Sequence, residues 1–403
     1  MLFVGGVRID ETTDAATRRM VLASAYEVQT RPECGCRPAG HRPAMYIAQV
    51  GEQWVVKRMP NTGNDHAVGC DSWSPPPALS GAGEVLGRAV VPDRDGSTAL
   101  RLGFAMSRAA GRAAPPAAAG SPGSSVKADG TRLSLRGLLH LLWDEARLTV
   151  WSPRMTGRRS WRVVSWHLGV AAEGKTARGV PLRLWVPEPF RADDKAAIAA
   201  RRTAAWSAAV ETPGRVSRFM VLVGEVKKIE RGRYGHLMTI KHLPGCPVVL
   251  DEDLHKRMVR RFDDDLELWG ADPQSHLVVA ATFSVGRTGL PRAHELTLML
   301  TTPEWLPVEG ALARDVVAAA VAGERRFTVS LRYNRPAADP HAVLVLTDVV
   351  PPVAVTAPGS VGLAEAVVGS DVRVWEWDGV GTVSLPGPSA PDCGAAAAGG
   401  AGS

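Results

Sequence analysis

Four residues toward the start of the sequence have the types and spacing of a metal site. Cys34 and Cys36 form a C-x-C pair, and His66 and Cys70 follow about thirty residues later as H-x3-C. Thiolate sulfur and imidazole nitrogen are the usual ligands of zinc in proteins. The set contains no carboxylate, which favours a closed structural site over a catalytic one. The spacing therefore predicts structural zinc bound by these four side chains.

Two local features would let the ligand pairs meet. Gly35 permits unusual backbone angles and so a tight turn, and the spacing of His66 and Cys70 suits one face of a helix. Two short strands that fold back on each other are predicted between the pairs, at MYIAQV and QWVVKRM. Two alternatives stay open. His41 could replace His66 as the fourth ligand, or the cluster could be three buried thiols beside an unrelated histidine.

Positive charge is concentrated in the middle of the chain. Residues 127–218 contain 17 Lys and Arg against 8 Asp and Glu, whereas the whole chain has a net charge of +6. Arginine forks suit phosphate oxygens, so this region predicts a nucleic-acid surface. The alternative is an ordinary solvated basic face. The candidate contacts are Arg154, Arg158, Arg159, Arg162, Lys175 and Arg178.

A third candidate is the E-x-K pair Glu225 and Lys227, which follows the apolar run MVLVG. In nucleases of the PD-(D/E)xK type such a pair holds a divalent metal and activates water. From residue 311 to 377 the predicted elements have the order αβββαβ, which matches the core of that superfamily, with Asp348 near the place of a metal ligand. The strand after Asp348 has no E-x-K, so this copy would be inactive. An exposed strand end explains the first pair equally well.

The sequence predicts an α+β multidomain protein of 403 residues. Residues 1–104 form a β-rich zinc module in this interpretation, and a Pro- and Ala-rich linker follows at 105–130. Residues 131–215 read helix, basic turn, helix, basic hairpin, which predicts a winged-helix-like basic domain. Residues 216–380 alternate strands and helices and predict a mixed α/β domain. A disordered tail is expected at 381–403.

The expected compartment is the cytoplasm. The first residues contain no signal-peptide core, and the apolar runs fall short of the roughly 18 residues that a membrane span requires. Clustered cysteines in a reducing compartment favour metal binding over disulfides. We therefore expect no membrane partner.

The chain resembles a bacterial family catalogued as a domain of unknown function, number eleven seventy-three. The resemblance extends from about Cys34 to Trp377 and rests on ordered blocks, among them CGC, MYIA, KRMPNTG, HAVGC, WSPRMTG, VPEPF, IKHLP and LDEDL. Members of this family are similar to genes carried on integrative and conjugative elements. The resemblance implies that the protein associates with DNA. It also implies other proteins of a mobile element as further partners.

These observations favour a zinc-containing, non-enzymatic protein of a mobile genetic element that binds nucleic acid. Two alternatives are a metal-dependent or degenerate nuclease that uses Glu225 and Lys227, and a scaffold for protein interactions. Salt-dependent binding, Mg²⁺-dependent cleavage and a stable protein partner would distinguish the three.

Overall fold

The computed structural model describes residues 1–50, 53–59, 62–93, 97–109, 130–233, 235–336, 339–358 and 362–388. Most of the predicted linker and of the predicted tail lies outside these described residues. Within them, no helix combines the length and the apolar character that a membrane crossing requires.

The N-terminal part consists of short strands around one longer helix. Asp14 begins that helix, since its carboxylate accepts a hydrogen bond from the Thr17 amide. The predicted hairpin is confirmed, with Tyr46 opposite Lys57. The elements are β1 (Leu2–Val4), β2 (Val7–Ile9), α1 (Ala15–Glu27), β3 (Glu33–Cys34), β4 (Met45–Val50), β5 (Gln53–Arg58), α2 (Ala82–Val85), β6 (Val90–Pro92), β7 (Thr98–Leu100) and β8 (Ser107–Arg108).

The middle part places one apolar helix at the centre of the molecule. Ser134 caps this helix as predicted, because its hydroxyl accepts from the Gly137 amide. Eight of its eleven residues are buried, including the polar His140. The elements are α3 (Leu135–Glu145), β9 (Val150–Trp151), α4 (Trp161–Ala172), β10 (Lys175–Ala177), β11 (Val180–Pro181), β12 (Leu184–Trp185), α5 (Lys195–Trp206) and β13 (Ser217–Arg218).

A closed barrel of five strands follows. Its elements are β14 (Met220–Arg231), β15 (His236–Ile240), β16 (Val248–Leu250), α6 (Glu252–Arg261), α7 (Asp263–Ala271), β17 (His276–Val285) and β18 (Pro291–Thr301). The circular order is β14, β15, β16, β18, β17 and back to β14, and only the β16–β18 pair is parallel. With helices between its third and fourth strands, this is the order of an OB-fold.

The two faces of the barrel strands bury different surfaces. Side chains such as Leu222 and Met238 fill the interior, to which α6 adds Leu254. Val221 and Val278 alternate with the interior positions and join the cluster around α3. The barrel packs against the central helix mainly along β17 and β18, and Met299 of β18 belongs to the same cluster.

A mixed sheet forms the C-terminal part. The elements after the barrel are β19 (Pro307–Val308), α8 (Gly310–Ala322), β20 (Phe327–Val329), β21 (Ala342–Leu346), β22 (Val353–Thr356), α9 (Leu363–Ala366) and β23 (Arg373–Glu376). The order αβββαβ predicted from residue 311 onward is confirmed. Strands β20, β21 and β22 pair antiparallel, and β23 is parallel to β22.

The predicted winged-helix middle is wrong, and the fold class is mixed α/β with a closed barrel. The short strands of this region belong to three different sheets: β9 pairs with β20, β10 with β7, and β12 with β14. The physical reason is that α3 is covered on its polar face as well as on its apolar one. The Arg136 guanidinium donates to the Tyr333 carbonyl, and His140 accepts from the Tyr333 amide. A winged helix would instead leave the polar face of this helix open to solvent.

The predicted boundary at residue 104 falls between elements that pair across it. Thr98 of β7 lies opposite Lys175 of β10 in a parallel register. Trp73 and Leu79 also share a buried cluster with Ala342 and Val345 of the C-terminal sheet. The N-terminal part is thus in contact with both later parts of the chain.

Candidate functional site

The four predicted ligands Cys34, Cys36, His66 and Cys70 meet at one point, where their ligand atoms all lie within 4.8 Å of one another. The Sγ atoms of Cys34 and Cys70 are 3.6 Å apart, and His66 Nδ1 lies 3.4 Å from Cys36 Sγ and 3.7 Å from Cys70 Sγ. Tetrahedral zinc with bonds of about 2.3 Å to sulfur and about 2.05 Å to nitrogen separates its ligands by about 3.6 to 3.8 Å. The four side chains therefore fit a tetrahedral metal ion.

Strand pairing positions the first two ligands. Cys34 lies in β3 opposite Leu2 of β1, and its amide donates to the Pro43 carbonyl at 2.8 Å. The expected role of Gly35 is different from the one observed, since its φ is not positive. A Cβ at Gly35 would lie 2.7 Å from the Met1 side chain. Close packing thus favours glycine here, and a larger residue would have to displace the Met1 side chain.

A turn, rather than the predicted helical face, presents the other two ligands. His66 has extended backbone angles directly after a short 3-10 helix, and the Cys70 amide donates to the Ala67 carbonyl at 2.8 Å. The Arg37 guanidinium donates to the carbonyls of Asp65 and His66 and so fixes this turn against the first pair. His41 is exposed and does not belong to the cluster.

Burial decides the charge states of the ligands. It raises the pKa of the Cys34 thiol to about 12 and lowers the pKa of His66 to about 4. The imidazole is therefore neutral near pH 7 and free to bind a metal through Nδ1. The Cys34 thiol loses its proton only beside a cation, as metal-bound cysteines do. These properties are those of a structural site for a divalent ion. A reactive cysteine would instead be exposed and have a lowered pKa.

The ligand loop is fastened to the central helix. The Arg147 guanidinium, just after α3, donates to the carbonyls of Trp73 and Asp71 and to the hydroxyl of Ser74. Arg58 of β5 donates to the Ser72 carbonyl at 2.9 Å. These bonds connect the metal centre to the core, so its geometry depends on α3 as well as on the N-terminal strands.

Some of the predicted nucleic-acid contacts are exposed, and others are buried. The side chains of Arg154, Arg158, Arg162 and Arg178 are exposed. Arg159 instead donates to the carbonyls of Leu148, Val150 and Glu304.

Lys175 is also buried, with its side chain only 1% exposed and its Nζ 2.6 Å from Glu145 Oε2. Arg159 and Lys175 are therefore used inside the protein. Neither is available to phosphate oxygens.

An open groove, which we call the arginine groove, lies beside β7, β10 and β11 and has a volume of about 900 Å³. The described residues that line it include five arginines and no carboxylate. Four of these side chains are exposed, and Arg183 is half-buried. In the described part of the chain, none of the five guanidinium groups has a hydrogen-bond or ion-pair partner. They are Arg101, Arg132, Arg178, Arg183 and Arg218.

Sequence reasoning included only Arg178 of this set among its named contacts. The charge excess over residues 127–218 contains four of the five arginines and was the available signal. Arg101 lies outside that interval and joins the groove only because β7 pairs with β10. A parallel pairing between distant segments has no local sequence signature.

Glu225 and Lys227 do not form a joint site. Glu225 is buried in β14, and its Oε1 lies 2.5 Å from Lys241 Nζ and 2.6 Å from His276 Nδ1. Lys227 is exposed. Trp305 stacks on His276 with ring centroids 3.8 Å apart. Within the described residues, Glu225 does not belong to any group of three or more possible metal ligands.

Asp348 holds the C-terminal sheet together. Its two carboxylate oxygens each accept a hydrogen bond of 2.8 Å from the Arg325 guanidinium, and the Arg326 amide donates to it at 3.0 Å. Both partners of the Arg325 ion pair are largely buried. A bidentate pair of this kind engages both oxygens that a metal ion would need.

Glu225 gives the protein an acid-sensitive interior. Burial raises its pKa, but hydrogen bonds from His276 and Lys241 outweigh burial, so the pKa lies below the ordinary value of 4.5. Because the pKa of Glu225 is lower in the folded state than in the unfolded state, its ionised carboxylate stabilises the fold. This stabilisation is complete at pH values above the unfolded-state pKa and is lost as the pH falls through the folded-state pKa. We expect Glu225→Gln to lower the free energy of unfolding at pH 7 by about 1.5 to 3 kcal/mol, the usual contribution of hydrogen bonds to a charged group. The deficit should shrink below about pH 4.5, measured by urea unfolding.

The matched control is Lys227→Gln, which removes the other member of the E-x-K pair. Lys227 is exposed, so its replacement should change stability by less than about 0.5 kcal/mol. An unchanged Glu225→Gln stability, together with loss of a Mg²⁺-dependent cleavage activity, would instead assign Glu225 to a nuclease site.

Comparison with known proteins gives a family and no characterised relative. No curated protein and no solved structure matches the chain. A family model matches residues 6–374, which is nearly the whole sequence and includes the four metal ligands, the arginine groove and the barrel. The chain belongs to the family described as "Protein of unknown function (DUF1173)".

Proposed function

We propose that this protein binds nucleic acid without acting on it enzymatically and that zinc stabilises its N-terminal part. The arginine groove is the observation on which the proposal depends. Five guanidinium groups line one concavity and have no partner in the described structure. Like charges held together in this way repel one another, and the backbone phosphates of a nucleic acid would supply the missing negative charge.

The barrel adds support at the level of the fold. Five-stranded barrels of this order often bind oligonucleotides, but a fold alone does not assign a function. Zinc is the metal that we propose for the cluster because three sulfurs and one imidazole suit its tetrahedral preference. The thiols and the metal centre fit a reducing cytoplasm, and a role beside other proteins of a mobile element is part of the same proposal.

Salt dependence tests the proposal. Binding of DNA should weaken steeply as salt rises, because each phosphate contact releases counterions. Arg178→Ala combined with Arg218→Ala should reduce the slope of log K against log salt by about 1.4 to 1.8. Fluorescence anisotropy of labelled DNA at several salt concentrations measures this slope.

The matched control is Arg18→Ala combined with Arg19→Ala, which removes two exposed arginines of α1 and the same net charge. This variant should keep the slope of the unmodified protein. Binding that is absent at low salt, or that does not depend on salt, would contradict the proposed function. An equal change in both double variants would point to net charge rather than to the groove.

A further inference from the structure

We infer that the arginine groove takes single-stranded nucleic acid, with phosphates at its rim and unpaired bases against its floor. The inference deepens the proposed function, on which it rests, by naming the substrate class and the surface. The rim and the floor of the groove differ in chemistry, and each supports one part of the inference.

The rim arginines come from different chain segments. Arg178 lies at the tip of the β10–β11 hairpin with a left-handed φ of 53°, and Arg218 lies in β13 on another segment that borders the cavity. Arg132 comes from the segment that leads into α3. A nucleic-acid strand in the groove would therefore meet positive charge from several segments of the protein.

The floor is apolar, and a duplex has nothing to place on it. Leu102, Phe104, Met106 and Leu182 line the cavity, are half-buried, and pack on the central core cluster. The faces of the bases are hidden by stacking in a duplex but available in a single strand. Aromatic and apolar side chains between positive charges are the usual platform for unpaired bases, whatever their sequence.

The composition of the chain does not favour the chain itself as the occupant. Residues 110–129, which connect Ala109 to Gly130 in the sequence, contain Arg112, Lys127 and a single acid, Asp129. That composition does not neutralise five arginines. A second copy of this chain also has a positive net charge of +6. A polyanion with exposed bases complements both the rim and the floor.

The test compares two labelled probes on the full-length, metal-loaded protein. The probes are an oligothymidylate of about 12 nucleotides and a duplex of the same length, within the range of known single-strand sites. We expect the single strand to bind at least about tenfold more tightly. Phe104→Ala should weaken single-strand binding by about 5- to 20-fold and change duplex binding less than about twofold. Phe104→Leu, which keeps most of the packing, should give a smaller loss.

A second measurement keeps the inference testable if Phe104→Ala does not fold. Photocrosslinking of 4-thiothymidine in the single strand should label peptides from residues 101–108 or 177–183. Equal affinity for the two probes, or crosslinks confined to other surfaces, would overturn the inference while salt-dependent binding leaves the proposed function standing. Failure of both probes to bind at low salt would remove the proposed function itself. A dimer that the groove variants dissociate would assign the groove to a second copy and also overturn the inference.

Discussion

Cys70→Ser should yield a protein without its metal and with a strongly reduced thermal stability. Cys70 Sγ lies 3.6 Å from Cys34 Sγ and 3.7 Å from His66 Nδ1, so its loss opens the ligand set. Structural zinc is worth about 10 to 16 kcal/mol of apparent binding free energy in small zinc modules. A single core cavity costs about 2 to 5 kcal/mol. Elemental analysis of the purified protein and calorimetric unfolding measure the two effects.

The matched control for this substitution is Cys246→Ala. Cys246 is buried in the barrel cluster, far in sequence from the ligands. Its replacement should lower stability modestly, by about 1 to 2 kcal/mol, and leave one metal ion per chain. A Cys70→Ser protein that keeps its full metal content would show that the cluster is not the metal site.

Removing the metal with a chelator should affect more than the N-terminal part. Trp73 and Leu79, on the loop that follows Cys70, are buried with Ala342 and Val345. We therefore expect hydrogen exchange to accelerate at β21 and β22 as well as around the ligands. Unchanged protection of the C-terminal sheet would favour the separable zinc module that the sequence suggests.

Lys175→Met should destabilise the protein by about 3 to 5 kcal/mol, the usual cost of removing one partner from a buried ion pair. The Lys175 ammonium lies 2.6 Å from Glu145 Oε2, and its side chain is 1% exposed. Its loss leaves the Glu145 carboxylate without its charge partner between α3 and β10. The free energy of unfolding in urea measures the effect.

A pair of comparisons separates this structural role from nucleic-acid binding. Arg178→Ala, three residues away on the exposed hairpin tip, should change stability by less than about 0.5 kcal/mol and weaken DNA binding. The double variant Lys175→Met with Glu145→Leu should recover part of the lost stability, because the Glu145 carboxylate is then no longer left without Lys175. A Lys175→Met protein that folds with normal stability but binds DNA poorly would show that Lys175 takes part in nucleic-acid binding.

The local features of this chain were predictable, whereas the pairings between distant segments were not. The C-x-C and H-x3-C spacing identifies four side chains that do meet, since ligand chemistry restricts the residue types that can occupy such a cluster. Ser134 marks the start of α3 because a cap is a local interaction. The barrel could not be predicted in this way. Its closure depends on β14 pairing with β17 and β16 with β18, which no local pattern specifies.

The basic residues show why composition alone does not identify an interface. Arg158 and Arg159 are adjacent in the sequence, yet Arg158 is exposed and Arg159 donates to three backbone carbonyls. A count of charged residues in the sequence does not distinguish these two arginines. Burial and hydrogen-bond partners separate them, and both are set by the tertiary structure.

The contact between the metal loop and the C-terminal sheet has a consequence for biosynthesis. Trp73 and Leu79 leave the ribosome long before Ala342 and Val345, their partners in the buried cluster, have been made. At about 5 to 20 residues per second the delay is roughly ten to fifty seconds. During that interval an indole, an isobutyl group and the Cys70 thiol lack the C-terminal strands that later cover them. The nascent chain therefore exposes apolar surface until its last strands emerge, and exposed surface of this kind is prone to aggregation.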